Sequence, residues 1–204
     1  MMTIHNFVGG LRGLRAMWLC EEMGLTYSVQ NYGYPVPDAY RALNPLGTVP
    51  LLEDGSDVVL SESVAIMLYL AQTHGPTALL PSREPAHFAR CLQWTVFGET
   101  EIGMSLNPLL AAHFMAADAD KRNWSVNGLE QRLKRALNHT ERSLGEDHYL
   151  VGGALTLADI SVSCGIGTWQ GALGGKPSPK LSDYQGRLQA RPAFQRASER
   201  CKGK

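Results

Sequence analysis

Apolar residues change their spacing along this 204-residue chain. Before residue 75, short apolar runs of strand type mix with helical spacing. Beyond residue 85 helical spacing alone remains. Residues 2–8 read as a strand, and Gly9, Gly10 and Gly13 punctuate a turn into a helix. Ala16, Leu19, Cys20 and Met23 then recur at i, i+3, i+4 and i+7, the spacing of one buried helical face. Gly24 closes that helix as a C-terminal cap. Residues 27–32 form a second strand. Residues 33–47 carry Gly33, Pro35, Pro37, Pro45 and Gly47, an irregular excursion with room for one helical turn. Residues 49–53 and 57–60 pair as a hairpin through Asp54-Gly55-Ser56. Residues 64–71 are apolar nearly all round, so that helix is covered on several sides.

A stretch with three prolines, Pro76, Pro81 and Pro85, follows, and the pattern beyond it is helical. Candidate helices span 86–116, 121–144, 157–170 and 183–200, with a Gly/Pro-rich loop over 171–179. The shift in composition divides the chain into an α+β domain at 1–75, a linker at 76–85 and an all-α domain at 86–204. Basic and acidic side chains number 19 each and lie scattered, which argues against a nucleic-acid surface. Cys20, Cys91, Cys164 and Cys201 lie far apart without metal-ligand spacing, so no metal is expected and a reducing, cytoplasmic setting fits. No leader pattern precedes the first strand, and no apolar run approaches the ~20 residues of a membrane span.

Two stretches carry chemistry. In Asn44-Pro45-Leu46-Gly47-Thr48-Val49-Pro50-Leu51-Leu52 a Val-Pro step opens a strand. Proline lacks an N–H and belongs at a strand start, and an X-Pro bond goes cis at low cost. A cis bond here would turn the Val49 N–H and C=O outward, toward an extended peptide. In Leu60-Ser61-Glu62-Ser63 an acid and a hydroxyl open a helix. Glu62 offers a carboxylate to an amine; Ser63 and the helix-start N–H groups suit a carboxylate. Downstream, Leu155-Thr156-Leu157-Ala158-Asp159-Ile160 reads as a capping box with a hydrophobic staple, a folding element.

These stretches, with Arg191-Pro192-Ala193-Phe194 near the end, resemble the cytosolic glutathione S-transferases of bacterial type. The resemblance covers nearly the whole chain. It implies a thioredoxin-like α+β domain followed by an all-α helical bundle, and it supplies that topology more than periodicity does. It also implies glutathione as co-substrate, a small hydrophobic electrophile as second substrate, a homodimer, and detoxification as the role. Thr48, Val49, Pro50, Glu62 and Ser63 would bind glutathione. The family usually activates the glutathione thiol with a Tyr, Ser or Cys after the first strand. This chain has Leu11 at that position and no Ser, Thr, Tyr or Cys from Ile4 to Met17. A free thiol has a pKa of ~8.5, and lowering it two units takes about 2.7 kcal/mol of preference for the anion. The backbone N–H groups of Leu11 and Arg12, the helix dipole and the Arg12 guanidinium are the candidates to supply it, with Asn6 a weaker donor. Arg12 is equally readable as a solvated or dimer-contact charge, and the three glycines as a tight turn or as room for a ligand. Thr48 stands where many members carry Lys or Gln for the glycine carboxylate; Arg41 is an alternative source of charge. An acceptor pocket between the domains would draw on Tyr34, Phe97, Glu101, Met104, Pro108 and Trp169, residues equally at home in a core. Loss of the usual hydroxyl keeps two alternatives open: a non-catalytic interaction or sensing protein, and a glutathione-dependent lyase, isomerase or peroxidase.

Overall fold

The structure, a computed structural model, describes residues 1–81, 83–145 and 148–203; Ser82 of the expected linker lies outside them. In chain order the elements are β1 (Met2–Phe7), α1 (Leu11–Met23), β2 (Tyr27–Tyr32), α2 (Asp38–Leu43), β3 (Leu51–Asp54), β4 (Val58–Ser61), α3 (Ser63–Thr73), α4 (Pro85–Phe97), α5 (Met104–Met115), α6 (Trp124–Ser143), α7 (Leu157–Leu173), α8 (Pro179–Gln189) and α9 (Pro192–Cys201). They form two compact units, Met1–Leu80 with Gln189–Lys204, and Pro81–Leu188. The sequence placed 86–204 together. The structure instead assigns the last helix to the first unit, because α9 packs along α1. The expected single helix at 183–200 is two helices, broken at Arg191-Pro192, where Pro192 takes the first helical position of α9. Proline has no N–H to lose there and cannot continue a preceding helix.

The first unit is a thioredoxin-like βαβ plus hairpin. Its sheet runs β2-β1-β3-β4, with β1 parallel to β2 and β3 antiparallel to both β1 and β4. Gly24 ends α1 in the left-handed region at φ 66°, its N–H reaching the Cys20 and Glu21 carbonyls. Only one face of α1 was expected to be buried, yet every residue from Gly13 to Cys20 is buried. Helix α1 packs on β1 and α3, and α9 covers it as well. Trp18 meets Phe194 edge-on at 5.0 Å. Two carboxylates on α1 hold the guanidinium groups of the C-terminal segment. Glu22 accepts from Arg191 Nε at 2.6 Å and Nη2 at 2.8 Å, and from Trp18 Nε1 at 2.9 Å. Glu21 pairs with Arg196 at 2.6 Å and Arg200 at 3.1 Å, and accepts from the Tyr27 hydroxyl at 2.9 Å.

In the second unit, the expected helix over 86–116 is interrupted by a π-helical stretch, Gly98–Gly103, between α4 and α5. Helix α7 packs against α4 and that stretch. The Ser161 hydroxyl donates to the Thr95 carbonyl at 2.7 Å, and a β-carbon at Gly98 would overlap Ser161. The capping box forms as expected. Asp159 Oδ2 accepts from the Thr156 N–H at 2.9 Å and hydroxyl at 3.1 Å, while Oδ1 accepts from the Leu150 N–H and the Tyr184 hydroxyl, each at 3.0 Å. Leu155 and Ile160, the expected staple pair, are both buried. All four cysteines are buried and none is disulfide-bonded.

The Glu22 grip has a pH signature. Burial pushes the carboxyl up, but the bonds from Arg191 and Trp18 outweigh it and hold it below the usual carboxylate range. A depressed carboxyl contributes stability that is present above the unfolded value of about 4.3 and lost as pH falls through the folded one. Glu22→Gln is therefore expected to cost about 1–2 kcal/mol at neutral pH. In urea denaturation series, wild-type stability should fall more steeply below about pH 4.3 than that of the variant. Parallel pH dependence would show that the pair contributes nothing.

Candidate functional site

Strand register brings three loop segments to one end of the sheet. His5 of β1 pairs with Leu51 of β3, and Leu51 pairs with Ser61 of β4. Because β3 is antiparallel to both neighbours, the chain beyond Phe7, the chain before Leu51 and the chain beyond Ser61 all leave the sheet on the same side. Those segments carry Leu11 and Arg12, then Thr48, Val49 and Pro50, then Glu62 and Ser63. The segments that carry the sequence-predicted binding and thiolate residues therefore emerge at one end of the sheet.

The central segment is built by its own loop. The Tyr40 hydroxyl donates to the Thr48 carbonyl at 2.5 Å, and Asn44 Nδ2 donates to the same carbonyl at 2.8 Å and to Thr48 Oγ1 at 3.1 Å. Asn44 Oδ1 accepts from the Leu46 N–H at 3.3 Å. Held this way, Thr48 delivers Val49 into a cis bond with Pro50. Pro50 is buried and Val49 half-buried. The Val49 side chain packs against a cluster of Val36, Tyr40 and Leu51. Among the described residues the Val49 N–H and C=O have no hydrogen-bond partner. Arg41 lies close by: a β-carbon at Gly47, whose φ is 63°, would sit 2.8 Å from its Nη1.

The third segment is strained. Glu62, exposed at the N-cap of α3, adopts φ 70° and ψ 111°. A side-chain residue held there costs about 1–3 kcal/mol, a cost that concentrates at functional positions. Ser63 begins α3 and is 4% exposed. Its hydroxyl oxygen accepts from Arg15 Nη1 at 2.9 Å, which leaves its own proton to donate. Arg15 is 2% exposed. A buried guanidinium beneath a helix N-terminus adds to an electrostatic environment already suited to a carboxylate. The sequence reading missed Arg15. The available signal was a cation set among Leu14, Ala16 and Met17 on the buried stretch of α1.

At the first segment, Leu11 and Arg12 open α1 and are half-buried. Gly10 caps the helix without a side chain, and the first turn carries no acid. The Leu11 N–H has no acceptor among the described residues, and a helix start of this kind favours an anion. Asn6, expected as a weak donor to the site, is instead fully buried. Its Nδ2 donates to the Phe7 carbonyl at 2.6 Å and to Cys201 Sγ at 3.4 Å. Gly10 and Gly13 make room for it. A β-carbon at Gly10 would stand 2.8 Å from Asn6 Oδ1, and one at Gly13 would overlap it. That close approach accounts for two of the three glycines.

The acceptor-pocket residues are dispersed. Tyr34, 87% exposed, meets Phe7 edge-on at 6.0 Å in the first unit. In the second unit Phe97 packs against both Trp94 and His139, which stack on each other, and Glu101 is bridged by Arg132 at 3.0 and 3.1 Å. Bonding from Arg132 holds the Glu101 carboxyl below its usual range, which suits an ion-pair partner better than a general acid. Phe97 and Glu101 line a shallow cavity of about 460 Å³ with Arg132, Arg135 and His139. Trp169 lines a different one of about 610 Å³, walled by α5, α6 and α7. Met104 is exposed, and so is Pro108. Among the described residues there is no group of side chains arranged to hold a metal and no helix long and apolar enough to cross a membrane.

Comparison with known proteins gives a consistent picture. Residues 12–73 match the model of the glutathione S-transferase N-terminal domain, and residues 106–192 that of the C-terminal domain. The chain is 37% identical over 140 residues to glutathione S-transferase stcT of Emericella nidulans, covering 66% of this chain and 58% of that one. It is 30% identical over 173 residues to the probable elongation factor 1-gamma 1 of Arabidopsis thaliana, covering 81% of this chain but 40% of that protein. Among solved structures, the theta class glutathione S-transferase of Xanthomonas axonopodis pv. citri with glutathione bound superposes with a TM-score of 0.81. Its identity is 30%, over 97% of this chain and 96% of that one.

The strain at Glu62 yields a test independent of any ligand. Glu62→Gly removes the steric penalty of φ 70°, and denaturant unfolding is expected to show a gain of about 1 kcal/mol. A loss of stability would mean that the Glu62 side chain is itself a structural brace.

Proposed function

The chain belongs to the glutathione S-transferase family, and from that premise we propose that it binds glutathione at the sheet end and directs its thiolate at a small hydrophobic electrophile. The Val49 N–H and C=O pair with the cysteinyl backbone of the tripeptide. Glu62 takes its γ-glutamyl amine. Ser63, with Arg15 behind it and the first N–H groups of α3, takes the γ-glutamyl carboxylate. Thr48 and Arg41 hold the glycine end. The sulfur then faces the start of α1, where the N–H groups of Leu11 and Arg12 and the Arg12 guanidinium favour the anion. The observation that carries this reading is the convergence on one sheet end of a partnerless peptide edge, a strained acid and an uncapped helix start. For the electrophile the proposal keeps Phe97 and Glu101, which share one cavity of the second unit. A cytoplasmic homodimer acting in detoxification completes the proposal.

Two observations favour a second reading. Leu11 stands in place of a hydroxyl, and the relatives include proteins named elongation factor 1-gamma. A glutathione-binding interaction module without catalysis fits both facts, and a lyase, isomerase or peroxidase reaction fits the first. Calorimetric titration with glutathione, then thiolate absorbance of the bound ligand against pH, separates these. Binding with a lowered thiol pKa is the result expected of the enzyme, binding with an unshifted pKa that of the module. No binding at millimolar ligand would end both. Glu62→Ala should weaken binding by about 2 kcal/mol, roughly thirtyfold, and wild-type affinity there would refute the assignment of Glu62.

A further inference from the structure

The turn that leads into α1 is fastened from the far end of the chain. The Gly9 N–H, at φ 71°, donates to the Cys201 carbonyl at 2.8 Å. The Cys201 thiol donates to the Gly10 carbonyl at 3.4 Å, and Asn6 Nδ2 donates to its sulfur at 3.4 Å. Asn31 Nδ2 donates to the Arg200 carbonyl at 2.9 Å. The C-terminal end of α9 thus touches both residues that precede Leu11. Within the turn, the Gly10 N–H donates to the Phe7 carbonyl at 2.7 Å, the same oxygen that accepts from Asn6. Asn6 Oδ1 is buried, has no hydrogen-bond partner and lies against Gly10 and Gly13 of the first α1 turn. Cys201 is 2% exposed.

We propose that Asn6 and Cys201 form a clasp that sets the orientation of the Gly10–Arg12 backbone, and that both are positioning residues for the thiolate of bound glutathione. The inference rests on the proposed function. Leu11 stands where the family's hydroxyl or thiol does, so backbone N–H groups fix the sulfur, and their aim depends on how rigidly the turn is held. Hydrogen-bond strength falls steeply with misalignment, so a turn released by a few tenths of an ångström loses preference for the anion while still binding the rest of the tripeptide. Burial pushes the Cys201 thiol up, so it stays protonated and keeps its donor at neutral pH. Its role is a hydrogen bond rather than nucleophilic chemistry.

The test compares two ligands on the intact chain: glutathione, whose thiol reports anion preference, and S-methylglutathione, which has no thiol. For Cys201→Ala, S-methylglutathione affinity should stay within about twofold. The pKa of the bound glutathione thiol should rise by about one unit, a tenfold change in the thiol–thiolate equilibrium. Cys201→Ser, which restores a donor to the Gly10 carbonyl, should return most of that shift. Asn31→Ala, at the half-buried edge of the clasp, should produce a smaller rise in the same direction and serves if Cys201→Ala does not fold. An unchanged thiol pKa in the variants, or equal loss of both ligands at constant pKa, overturns the clasp. A wild-type complex whose thiol titrates like free glutathione overturns the parent reading instead, and the clasp falls with it.

Discussion

A buried or half-buried backbone amide must find a partner, and this fold leaves unpaired ones together at one end of its sheet. The Val49 edge and the Leu11 N–H are satisfied by nothing else among the described residues. Much of the first unit serves to hold them in place. Tyr40 and Asn44 fix the Thr48 carbonyl, so that Val49 presents its edge rather than folding it inward. Glu62 is held at a costly backbone angle, φ 70°, where the chain leaves the same end of the sheet. The antiparallel placement of β3 between β1 and β4 is what makes these separate devices adjacent.

Charge follows the same logic. Arg15 is buried below the α3 start, behind Ser63, while the carboxylates of α1, Glu21 and Glu22, are turned to the opposite task of holding Arg191, Arg196 and Arg200. One short helix therefore separates its charges by function. In its N-terminal half the buried Arg15 reaches Ser63, and its acidic C-terminal half anchors α9. That anchoring is why the C-terminal segment belongs to the first unit, and it places Cys201 where it can touch the turn.

The sequence was most legible where local chemistry dictates local structure. The hairpin at Asp54-Gly55-Ser56, the Gly24 cap, the Thr156–Asp159 box and the strand pattern of 2–8 and 27–32 all appear within a residue or two of expectation. So does the helix opened by Glu62-Ser63. Long-range packing was not legible. Helix α9 has the strongly amphipathic pattern of any surface helix, and its partner is chosen by Trp18, Glu21 and Glu22 more than 160 residues away. The π-helical stretch at Gly98–Gly103 carries no periodicity signal, since it answers to the close passage of α7. Phe97 and Glu101 sit at a helical spacing that fits a cleft and a core alike, and Trp169 lies on another helix. In the structure they line two separate cavities of the helical unit, and Glu101 is committed to Arg132.

In the proposed function, free main-chain groups at the sheet end receive a tripeptide. Amide-resolved NMR of the labelled chain titrated with glutathione tests it most directly. With glutathione bound, the Val49 and Leu11 amide resonances are expected to shift and gain protection from hydrogen exchange, together with Ser63, while the α6 amides stay unmoved. Shifts confined to the helical unit, with Val49 and Leu11 unaffected at saturating ligand, would contradict it.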